Sequence, residues 1–485
     1  MLRVRKIRAV MFAAFLCVVA AVVLPQALQC SEQPRYTALT ILYTNDLHGH
    51  LFPFDYDKLG KLETEVGGAA RRAALIRQLR GASDNPVLVM DAGDLFTRGP
   101  LADQKGVPDF AVMNAVPYDI MVLGNNDFKG APGLEGRRIM FDRIKQAQFP
   151  VVSANVIDKA TDKTIVPPYK IFDLDGLKVG VFGLTAQRVA AYEQARGLDV
   201  KDPITAARRI VSELQQKSDF IVALTHIGLP KDLELASTVP GIDVIIGGDS
   251  RTWLFQPMLV RDERSNYPTW WIGGTIVCQD GEWGRCVGKL DLRLRLAQEG
   301  RCKVMSYSGE LLEVNSSIEP ARDVARILWR AAKPYLREVG KLDQAVPKRE
   351  AAGWVAGCIR RAAEAQVGIQ PEDGVENGLK AGNVTYLDIR KMFPWVNQVV
   401  KLTVTGRQLR DYISHTDAGL AGAHMRDGVL YIGDNEVEDT QTYTAAIEDF
   451  YARTSPVLAG VAPAELLANT RDIVTDYVAG KIIPQ

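Results

Sequence analysis

The chain has 485 residues, of which 47% are hydrophobic and 24% are charged, as is ordinary for a soluble globular protein. These fractions exclude a disordered, collagen-like or polytopic membrane class. Lysine plus arginine and aspartate plus glutamate both number 58, so the formal net charge is zero. This balance argues against a nucleic-acid binder with a dominant basic face. The length predicts roughly two to four domains.

Residues 1–29 have the layout of a secretory signal peptide. Four basic residues precede an uncharged, mostly apolar run over 9–24, which Pro25 ends. The run is shorter than the roughly 20 residues that a spanning helix needs, so we predict a periplasmic or extracellular protein. An uncleaved anchor is the alternative, and lipidation at Cys30 stays open. Removal of 1–29 leaves 54 basic and 58 acidic residues, a net charge of −4.

Export would place the remaining cysteines in an oxidising compartment. These cysteines are Cys278, Cys286, Cys302 and Cys358, besides Cys30. A disulfide within 278–302 and buried free thiols are both compatible with the spacing, because pairing cannot be read from a sequence.

Between 37 and about 295, short apolar runs alternate with longer amphipathic segments. Apolar runs rich in valine and isoleucine are typical of strands covered on both faces. The predicted buried strands are 38–43, 86–90, 120–123, 178–182, 220–224 and 243–246. Helices are predicted between them, for example over 69–79 and 205–215. This alternation predicts an α/β domain of stacked layers, to which we assign residues 37–312.

A hairpin with one solvated face is predicted at the end of this domain. Residues 289–296 alternate strictly between apolar and polar, Gln298–Gly300 indicates a turn, and 303–312 runs back. Strict alternation is the pattern of an antiparallel strand with one face in the core.

A helix is predicted over 321–339, inside a linker assigned to 313–339. Trp329, Ala332 and Leu336 recur there at the spacing of one helix face. The remaining residues, 340–485, mix helices with strands such as 399–404 and 428–432. They predict a second domain of the α+β class.

Polar residues cluster directly after five of the buried strands, at the sheet edge where open α/β sheets bind ligands. The clusters are Asn45-Asp46-Leu47-His48, Asp91-Ala92-Gly93-Asp94, Gly124-Asn125-Asn126-Asp127, Thr225-His226 and Gly247-Gly248-Asp249-Ser250-Arg251. Carboxylate, imidazole and amide ligands together suit a divalent ion such as Zn²⁺, Mn²⁺ or Fe²⁺. Such ligand sets commonly serve the hydrolysis of phosphate esters.

These clusters resemble, in order, the signature of calcineurin-like metallophosphoesterases, and more closely that of the periplasmic 5'-nucleotidase and cyclic-nucleotide phosphodiesterase family. The closer resemblance rests on 42–51, 153–156 and 242–248. The second half resembles the substrate-binding domain of that family at 384–388, 393–397 and 402–409. The resemblance implies a four-layer α/β sandwich followed by an α+β domain of the 5'-nucleotidase C-terminal type.

The resemblance also implies two metal positions that share one aspartate. The implied ligands are Asp46, His48 and Asp94 at the first position and Asp94, Asn125, His226 and Asp249 at the second. The implied cofactor is one or two divalent ions of Mn, Zn, Fe or Co. The implied substrate is a small phosphate ester, with nucleotides among the candidates, which water would attack in line at phosphorus.

Two segments depart from the family pattern. The family usually has Gly-Asn-His-Glu-Phe-Asp, whose histidine and last aspartate form a catalytic dyad, whereas Asn126 and Lys129 stand there in this chain. The family then has Gly-His-Ser-His or Gly-His-Ser-Gln, whose outer residues bind metal, whereas this chain has Asp249 and Arg251. Arg251 cannot be a ligand, because a guanidinium is always protonated and has no acceptor.

Two accounts of these departures stay open. In the first, the enzyme is retuned, with Asn126, Lys129 and Arg251 acting at the catalytic site. Arg251 then supplies fixed positive charge near the first metal position, while one ion remains at the second. In the other account, the fold is catalytically silent and binds an anion or a partner. Hydrolysis of sulfur esters is a third reading. Loss of one acid–base group typically lowers a rate by about 10²–10⁴-fold.

The second domain lacks two features of the family as well. The arginine of the usual Asn-Gly-Gly-x-x-Arg is absent from 376–382, and 449–455 lacks the Gly-Gly-Asp-Gly that precedes a base-stacking aromatic residue. Tyr431 and Tyr451 are either stacking residues or ordinary tyrosines. We expect a monomer, no partner of duplex nucleic acid, and membrane contact only if Cys30 is lipidated.

Overall fold

The structure is a computed structural model that describes residues 35–58, 61–261, 272–296, 301–393 and 395–481. The predicted signal peptide, Cys30 and the turn at 298–300 lie outside these residues. Within the described ranges, no helix is both long enough and apolar enough to cross a membrane.

Two six-stranded sheets form the centre of the first domain. In spatial order, the first sheet consists of Lys303–Glu313, Cys286–Arg295, Tyr36–Thr44, Val87–Asp91, Ile120–Val122 and Val151–Val152. The second sheet consists of Met258–Val260, Thr275–Cys278, Val244–Ile246, Phe220–His226, Leu177–Thr185 and Tyr169–Leu174. The central strands of each sheet run parallel. Their carboxyl ends therefore share one edge of each sheet.

The two sheets stack face to face, and helices cover their outer faces. Side chains alternate along Tyr36–Thr44, so that Leu39 and Ile41 enter the core between the sheets and Leu42 enters the core under the helices. The helices over the first sheet are Ala69–Ala82, Val107–Ala115, Gly133–Gln146 and Arg322–Ala332. Those over the second are Pro203–Leu214 and Leu229–Thr238. The four-layer α/β sandwich is confirmed.

Smaller elements complete the first domain. Its two minor sheets are Phe54–Lys58 with Lys61–Val66, and Val156–Asp158 with Lys163–Thr164 and Leu198–Val200. Its short 3-10 helices are Ala102–Gln104, Asn126–Phe128, Gln187–Ala191 and Glu193–Ala195.

Local sequence explains where helix Pro203–Leu214 begins. The Asp202 carboxylate accepts a hydrogen bond from the backbone N–H of Thr205 at 2.8 Å, which satisfies one of the donors that a helix leaves unpaired in its first turn. Pro203 lacks an N–H and has a fixed φ, so it fits the first helical position.

Each predicted buried strand overlaps a strand of the structure, and the hairpin is confirmed as Cys286–Arg295 paired antiparallel with Lys303–Glu313. The disulfide within 278–302 does not form in the structure, because Cys278, Cys286 and Cys302 are free, buried thiols. Burial raises the pKa of Cys278 to about 12, which keeps that thiol protonated and unreactive.

The helix predicted over 321–339 is wrong in its second half. Helix Arg322–Ala332 ends early, Lys333–Tyr335 is a 3-10 turn, and Glu338–Leu342 is a strand. Pro334 explains the early end, because proline has no N–H to continue the α-helical hydrogen bonds. The segment predicted as a linker thus holds three different elements.

The packed face of this helix also differs from the prediction. Val324 and Leu328 are buried in the core that the first sheet shares with its helices, and Ala332 is buried with them. Trp329 and Leu336, which the spacing placed on the packed face, are exposed. The helix is therefore part of the first domain.

The second domain is built on a five-stranded mixed sheet, which confirms the α+β prediction. Its strands, in spatial order, are Ala418–Ala421, Val367–Pro371, Thr442–Glu448, Gln398–Thr405 and Glu465–Asn469. Its helices are Lys348–Ala362, Tyr386–Met392, Gly406–Ser414, Asp449–Thr454 and Thr470–Val478, with a 3-10 turn at Glu372–Gly374. Two minor sheets pair Glu338–Leu342 with Gly382–Thr385, and Val429–Ile432 with Ala423–Arg426 and Asn435–Glu436.

We expect Leu328→Ala to lower the free energy of unfolding by about 2–5 kcal/mol, because it leaves a cavity in a core. Trp329→Ala is the matched control, since Trp329 is the next residue on the same helix and is 57% exposed. Urea unfolding followed by circular dichroism measures both effects. An equal loss in the two variants would contradict the packed face that the structure shows.

Candidate metal and phosphate site

The polar clusters that follow the parallel strands meet at one edge of the first domain. Asp46 and His48 follow Tyr36–Thr44, and Asp94 follows the neighbouring strand. Backbone N–H groups of Asp46 and His48 donate to the carbonyls of Gly93 and Asp94 at 3.0 and 2.9 Å. These bonds fix the two loops against each other.

A compact group of ligand atoms lies at this edge. His48 Nε2 is 3.5 Å from Asp46 Oδ1 and 3.7 Å from Asp94 Oδ2. His226 Nε2 is 3.3 Å from Asp94 Oδ2. The ligand atoms of Asp46, Asp94 and His226 all lie within 4.8 Å of one another. Asp249 Oδ1 lies 3.7 Å from His226 Nε2. The structure thus brings together five of the predicted metal ligands: Asp46, His48, Asp94, His226 and Asp249.

Three of these ligand atoms are buried without a hydrogen-bond partner among the described residues: Asp46 Oδ1, His48 Nε2 and His226 Nε2. Such orphaned polar atoms destabilise a fold unless a ligand satisfies them. Carboxylate and imidazole are also the donor types that divalent transition metals prefer. The residues present therefore fit a divalent ion.

The surroundings of His226 prepare it to bind a cation. His226 Nδ1 donates to the carbonyl of Ala92 at 2.6 Å, which directs the lone pair of a neutral ring to Nε2. Burial acts to lower the pKa of His226, but the carboxylates of Asp94 and Asp46 outweigh it and raise that pKa well above its usual value. The site thus has a negative potential that a positive ion would relieve.

Backbone strain is concentrated at this edge. Among the residues at this edge, Asp46, His48, Asp94, Asp249 and Arg251 have positive φ, between 47° and 78°. Left-handed backbone in residues other than glycine costs of order 1–3 kcal/mol and persists where surrounding structure enforces it, often at functional sites. The loops are therefore held in a set geometry.

Asn126 contacts Asp94. Its backbone N–H donates to Asp94 Oδ1 at 2.7 Å and its Nδ2 donates to Oδ2 at 2.5 Å. Burial acts to raise the pKa of Asp94, but His226, His48 and the side-chain amide of Asn126 lower it below its usual range. Asn126 thus orients an ionised carboxylate.

Asp127, which is not among the predicted site residues, connects two of these loops. Its carboxylate is buried and accepts from the backbone N–H groups of Asp94, Leu95 and Gly124 at 3.2, 3.0 and 2.8 Å. Its position beside three predicted site residues was the only signal in the sequence. Asp127 holds the loop of Asp94 against the loop of Asn125.

Arg188 joins Asn125 to Asp249, two residues predicted as metal ligands. Arg188 Nη2 donates to Asn125 Oδ1 at 2.6 Å, and Nη1 donates to Asp249 Oδ2 at 2.8 Å. Nη2 also contacts Asp249 Oδ1. Arg188 lies shortly after strand Leu177–Thr185. This strand end is not among the five polar clusters, and its position beside them is the sequence signal that indicates Arg188.

The two cations that depart from the family pattern, Arg251 and Lys129, have different neighbours in the structure. Arg251 Nε is 3.9 Å from Asp46 Oδ1, and its Nη1 is 3.3 Å from Glu282 Oε2. Lys129 Nζ lies 4.3 Å from the centre of the Tyr192 ring. Both side chains line a cavity between the two domains.

This interdomain cavity has a volume of about 1190 Å³, ample for a nucleotide-sized molecule. Besides carboxylates, its wall carries cations and aromatic rings from both domains. The cations are Arg98, Lys129, Arg251, Lys348 and Arg349, and the rings include Tyr56, Trp283, Trp395, Phe450 and Tyr451. The guanidinium of Arg98 lies 4.6 Å from the ring centre of Trp395, so a cation of one domain meets a ring of the other.

The segment 376–382, which lacks the family's arginine, holds the domains together. Glu376 contacts His50 Nε2 at 3.1 Å, and the side-chain oxygen of Asn377 accepts from the backbone N–H of Asp55 at 2.8 Å. Positive charge reaches the cavity instead from Lys348 and Arg349, at the start of another helix. Neither Lys348 nor Arg349 is among the residues predicted from the sequence.

The two tyrosines considered for stacking have different positions. Tyr451 lines the interdomain cavity, and its hydroxyl donates to Asp373 Oδ1 at 2.8 Å. Tyr431 lies in a minor sheet, stacked on His424, and does not line this cavity. Phe450 and Trp395, which were not proposed for stacking, are large exposed rings on the cavity wall.

Comparisons with known proteins agree with this architecture. Residues 39–250 match the family model for calcineurin-like phosphoesterases, and residues 338–455 match the model for the 5'-nucleotidase C-terminal domain. The chain thus belongs to the class of proteins in which a calcineurin-like phosphoesterase domain is followed by a 5'-nucleotidase C-terminal domain.

Relatives specify the family further. A 5'-nucleotidase of Vibrio cholerae is 31% identical and covers 92% of this chain and 90% of its own length. Protein UshA of Escherichia coli K12 is 27% identical over 79% of this chain and 77% of its own. The crystal structure of a 5'-nucleotidase precursor from Thermus thermophilus shares the fold, with a TM-score of 0.67, 24% identity, and coverage of 92% of this chain and 97% of its own. The chain belongs to the 5'-nucleotidase family of phosphoesterases.

We expect Asp127→Ala to lower the free energy of unfolding by about 2–5 kcal/mol, because three buried N–H groups lose their acceptor. Asp127→Asn keeps one acceptor oxygen, so its loss should be smaller. Asp142→Ala, on the following helix, is a control at a partly exposed carboxylate and should change stability least. Thermal unfolding gives the order, and equal stability of all three variants would refute the role of Asp127.

Proposed function

We propose that the protein is an exported, metal-dependent phosphoesterase that hydrolyses small phosphate esters, nucleotides among them. The observation that supports this most is the set of orphaned ligand atoms on Asp46, His48 and His226, close to the cations of the interdomain cavity. Family membership supports the reaction class. Export rests on the predicted signal peptide.

The residues that would hold the ion are Asp46, Asp94 and His226, with His48 beside Asp46 and Asp94. When bound, a divalent transition metal provides a water-derived nucleophile at neutral pH and offsets charge on the phosphoryl oxygens. Asn126 fixes the orientation of Asp94 through two hydrogen bonds. Ala92 fixes the ring of His226 through its carbonyl.

The cations on the cavity wall would bind the phosphate. Arg251 stands beside Asp46, and Lys129 and Arg98 line the same wall, so fixed positive charge surrounds the place where a phosphate would lie. Guanidinium groups match phosphate oxygens with paired donors. These contacts position the substrate and favour the extra negative charge of its transition state.

Protonation of the leaving group is the weak step of this site. Asn126 stands where the family has histidine, and an amide cannot act as a general acid. Its backbone N–H and its Nδ2 both donate to Asp94 in the structure. We therefore expect turnover about 10²–10⁴-fold below that of relatives that keep the dyad.

The organic part of the substrate would lie against the aromatic rings of the second domain. Phe450 and Tyr451 are adjacent, with ring centres 5.4 Å apart, and Trp395 lines the same cavity. A base stacks on such rings without sequence preference. This supports nucleotides over small aliphatic esters.

A silent binding protein on the same fold is the alternative. One observation favours it. Asn126 donates to both oxygens of Asp94, the aspartate that the two implied metal positions share, so these oxygens already have a partner without metal. Binding of phosphate or a nucleotide without hydrolysis, in the presence of metal, would be its signature.

We expect the purified chain from residue 30 onward to hydrolyse p-nitrophenyl phosphate after incubation with Mn²⁺, Zn²⁺, Co²⁺ or Fe²⁺, and to lose this activity in chelator. His226→Ala should reduce the rate to background, because it removes a buried ligand atom. His424→Ala, at an exposed histidine of the second domain, is the matched control and should keep the full rate. Absence of hydrolysis with every one of these metals would refute the enzyme and support the silent protein.

We expect Trp395→Ala and Phe450→Ala each to raise KM for a nucleoside monophosphate about 10-fold, since stacking of one base contributes about 1–3 kcal/mol. KM for glycerol phosphate, which has no ring, should change much less. Trp329→Ala removes an exposed ring that does not line the cavity and serves as the control. Equal KM changes for both substrates would argue against a stacked base.

A further inference from the structure

Arg188 occupies the oxygen ligands that a second ion would need. Asn125 Oδ1 and both oxygens of Asp249 accept from, or contact, its guanidinium. Asn125 cannot turn its amide freely, because its Nδ2 contacts the hydroxyl of Tyr192 at 3.3 Å. The oxygen side of Asn125 is thereby directed to the guanidinium.

The chemistry of Arg188 suits this place. A guanidinium is always charged and offers a planar fork of donors that matches a carboxylate in a bidentate way. It has no acceptor and cannot ligate a metal. A divalent ion would bind weakly at the same oxygens, because they already accept hydrogen bonds from Arg188 and because the fixed positive charge would repel the ion.

The other half of the centre is arranged differently. The atoms left without a hydrogen-bond partner among the described residues belong to Asp46, His48 and His226, not to Asn125 or Asp249. The backbone N–H of Asp249 donates to Asp46 Oδ2 at 2.8 Å. Asp249 Oδ1 lies 3.7 Å from His226 Nε2 but contacts the guanidinium of Arg188. The ligand atoms that all lie within 4.8 Å of one another belong to Asp46, Asp94 and His226, and His48 Nε2 lies 3.5 Å from Asp46 Oδ1.

We propose that this chain binds one divalent ion, at Asp46, Asp94 and His226 with His48 beside them, and that Arg188 is a built-in second cation in place of the other ion. This inference rests on the proposed function for the presence of a metal. It reverses the assignment expected from the sequence, in which the remaining ion lies at Asp94, Asn125, His226 and Asp249. Arg188 acts as a positioning residue that holds Asn125 and Asp249.

The test is the number of ions bound per chain, measured independently of catalysis. The full mature chain is stripped with chelator and titrated with Mn²⁺, and free Mn²⁺ is followed by electron paramagnetic resonance. Elemental analysis of the dialysed protein gives a second count. We expect one ion per chain for the unmodified protein.

Arg188→Met should bind a second Mn²⁺ at least 10-fold more tightly than the unmodified chain, because it frees the oxygens of Asn125 and Asp249 and removes the repelling charge. Arg188→Lys keeps a cation and should still bind one ion. Arg208→Ala, at an exposed arginine of helix Pro203–Leu214, is the matched control and should also bind one. Circular dichroism shows whether each variant is folded.

Asn125→Ala tests the same proposal without touching Arg188, should Arg188→Met fail to fold. Asn125 is not a ligand in the proposed centre, so the variant should keep its one ion, whereas Asp46→Asn should lose it. Loss of the ion from Asn125→Ala would overturn the inference.

Two further outcomes separate this inference from the proposed function. Two ions bound by the unmodified chain, or a single ion bound by folded Arg188→Met, would overturn the role of Arg188 and leave the phosphoesterase intact. No ion bound by the unmodified chain or by any variant would overturn the metal-dependent function, and the inference with it.

Discussion

Buried negative charge at the carboxyl edge of the two sheets is the constraint on which the rest of the site depends. Asp46 and Asp94 are almost completely removed from water. A carboxylate in such a place destabilises the fold unless it is hydrogen-bonded, paired with a cation or bound to metal. The imidazoles of His48 and His226, the amide of Asn126 and the guanidinium of Arg251 are all arranged around this requirement.

The loops that carry these groups are held by buried polar contacts as well as by buried apolar side chains such as Leu47, Leu95 and Phe128. Asp127 ties two of the loops through three backbone N–H groups. The positive φ angles of Asp46, Asp94 and Asp249 show how tightly the surroundings determine the backbone. The second domain then closes over this edge, with Glu376 against His50. The cavity that results has cations near the edge and aromatic rings toward the second domain.

Much of the fold could be predicted from the sequence because its signals are local. Apolar runs located the central strands, and strict alternation located the hairpin Cys286–Arg295 with Lys303–Glu313. The helix predicted over 321–339 was wrong in its second half, because the periodic pattern continued past Pro334, which has no N–H for an α-helical hydrogen bond. The prediction of that helix's packed face was wrong too, because the buried face depends on the elements that the helix packs against.

The sequence by itself determined the class of site: the residue types at successive strand ends, and the cations Lys129 and Arg251 in place of an acid and a ligand. Only the tertiary structure decided which of these residues meet. Arg188 reaches Asn125 across 63 positions and Asp249 across 61, and Trp395 meets Arg98 from the other domain. No local pattern encodes such pairings, because they depend on where two sheets and two domains bring their loops together. A strand's periodicity, by contrast, depends only on the neighbouring residues along the chain.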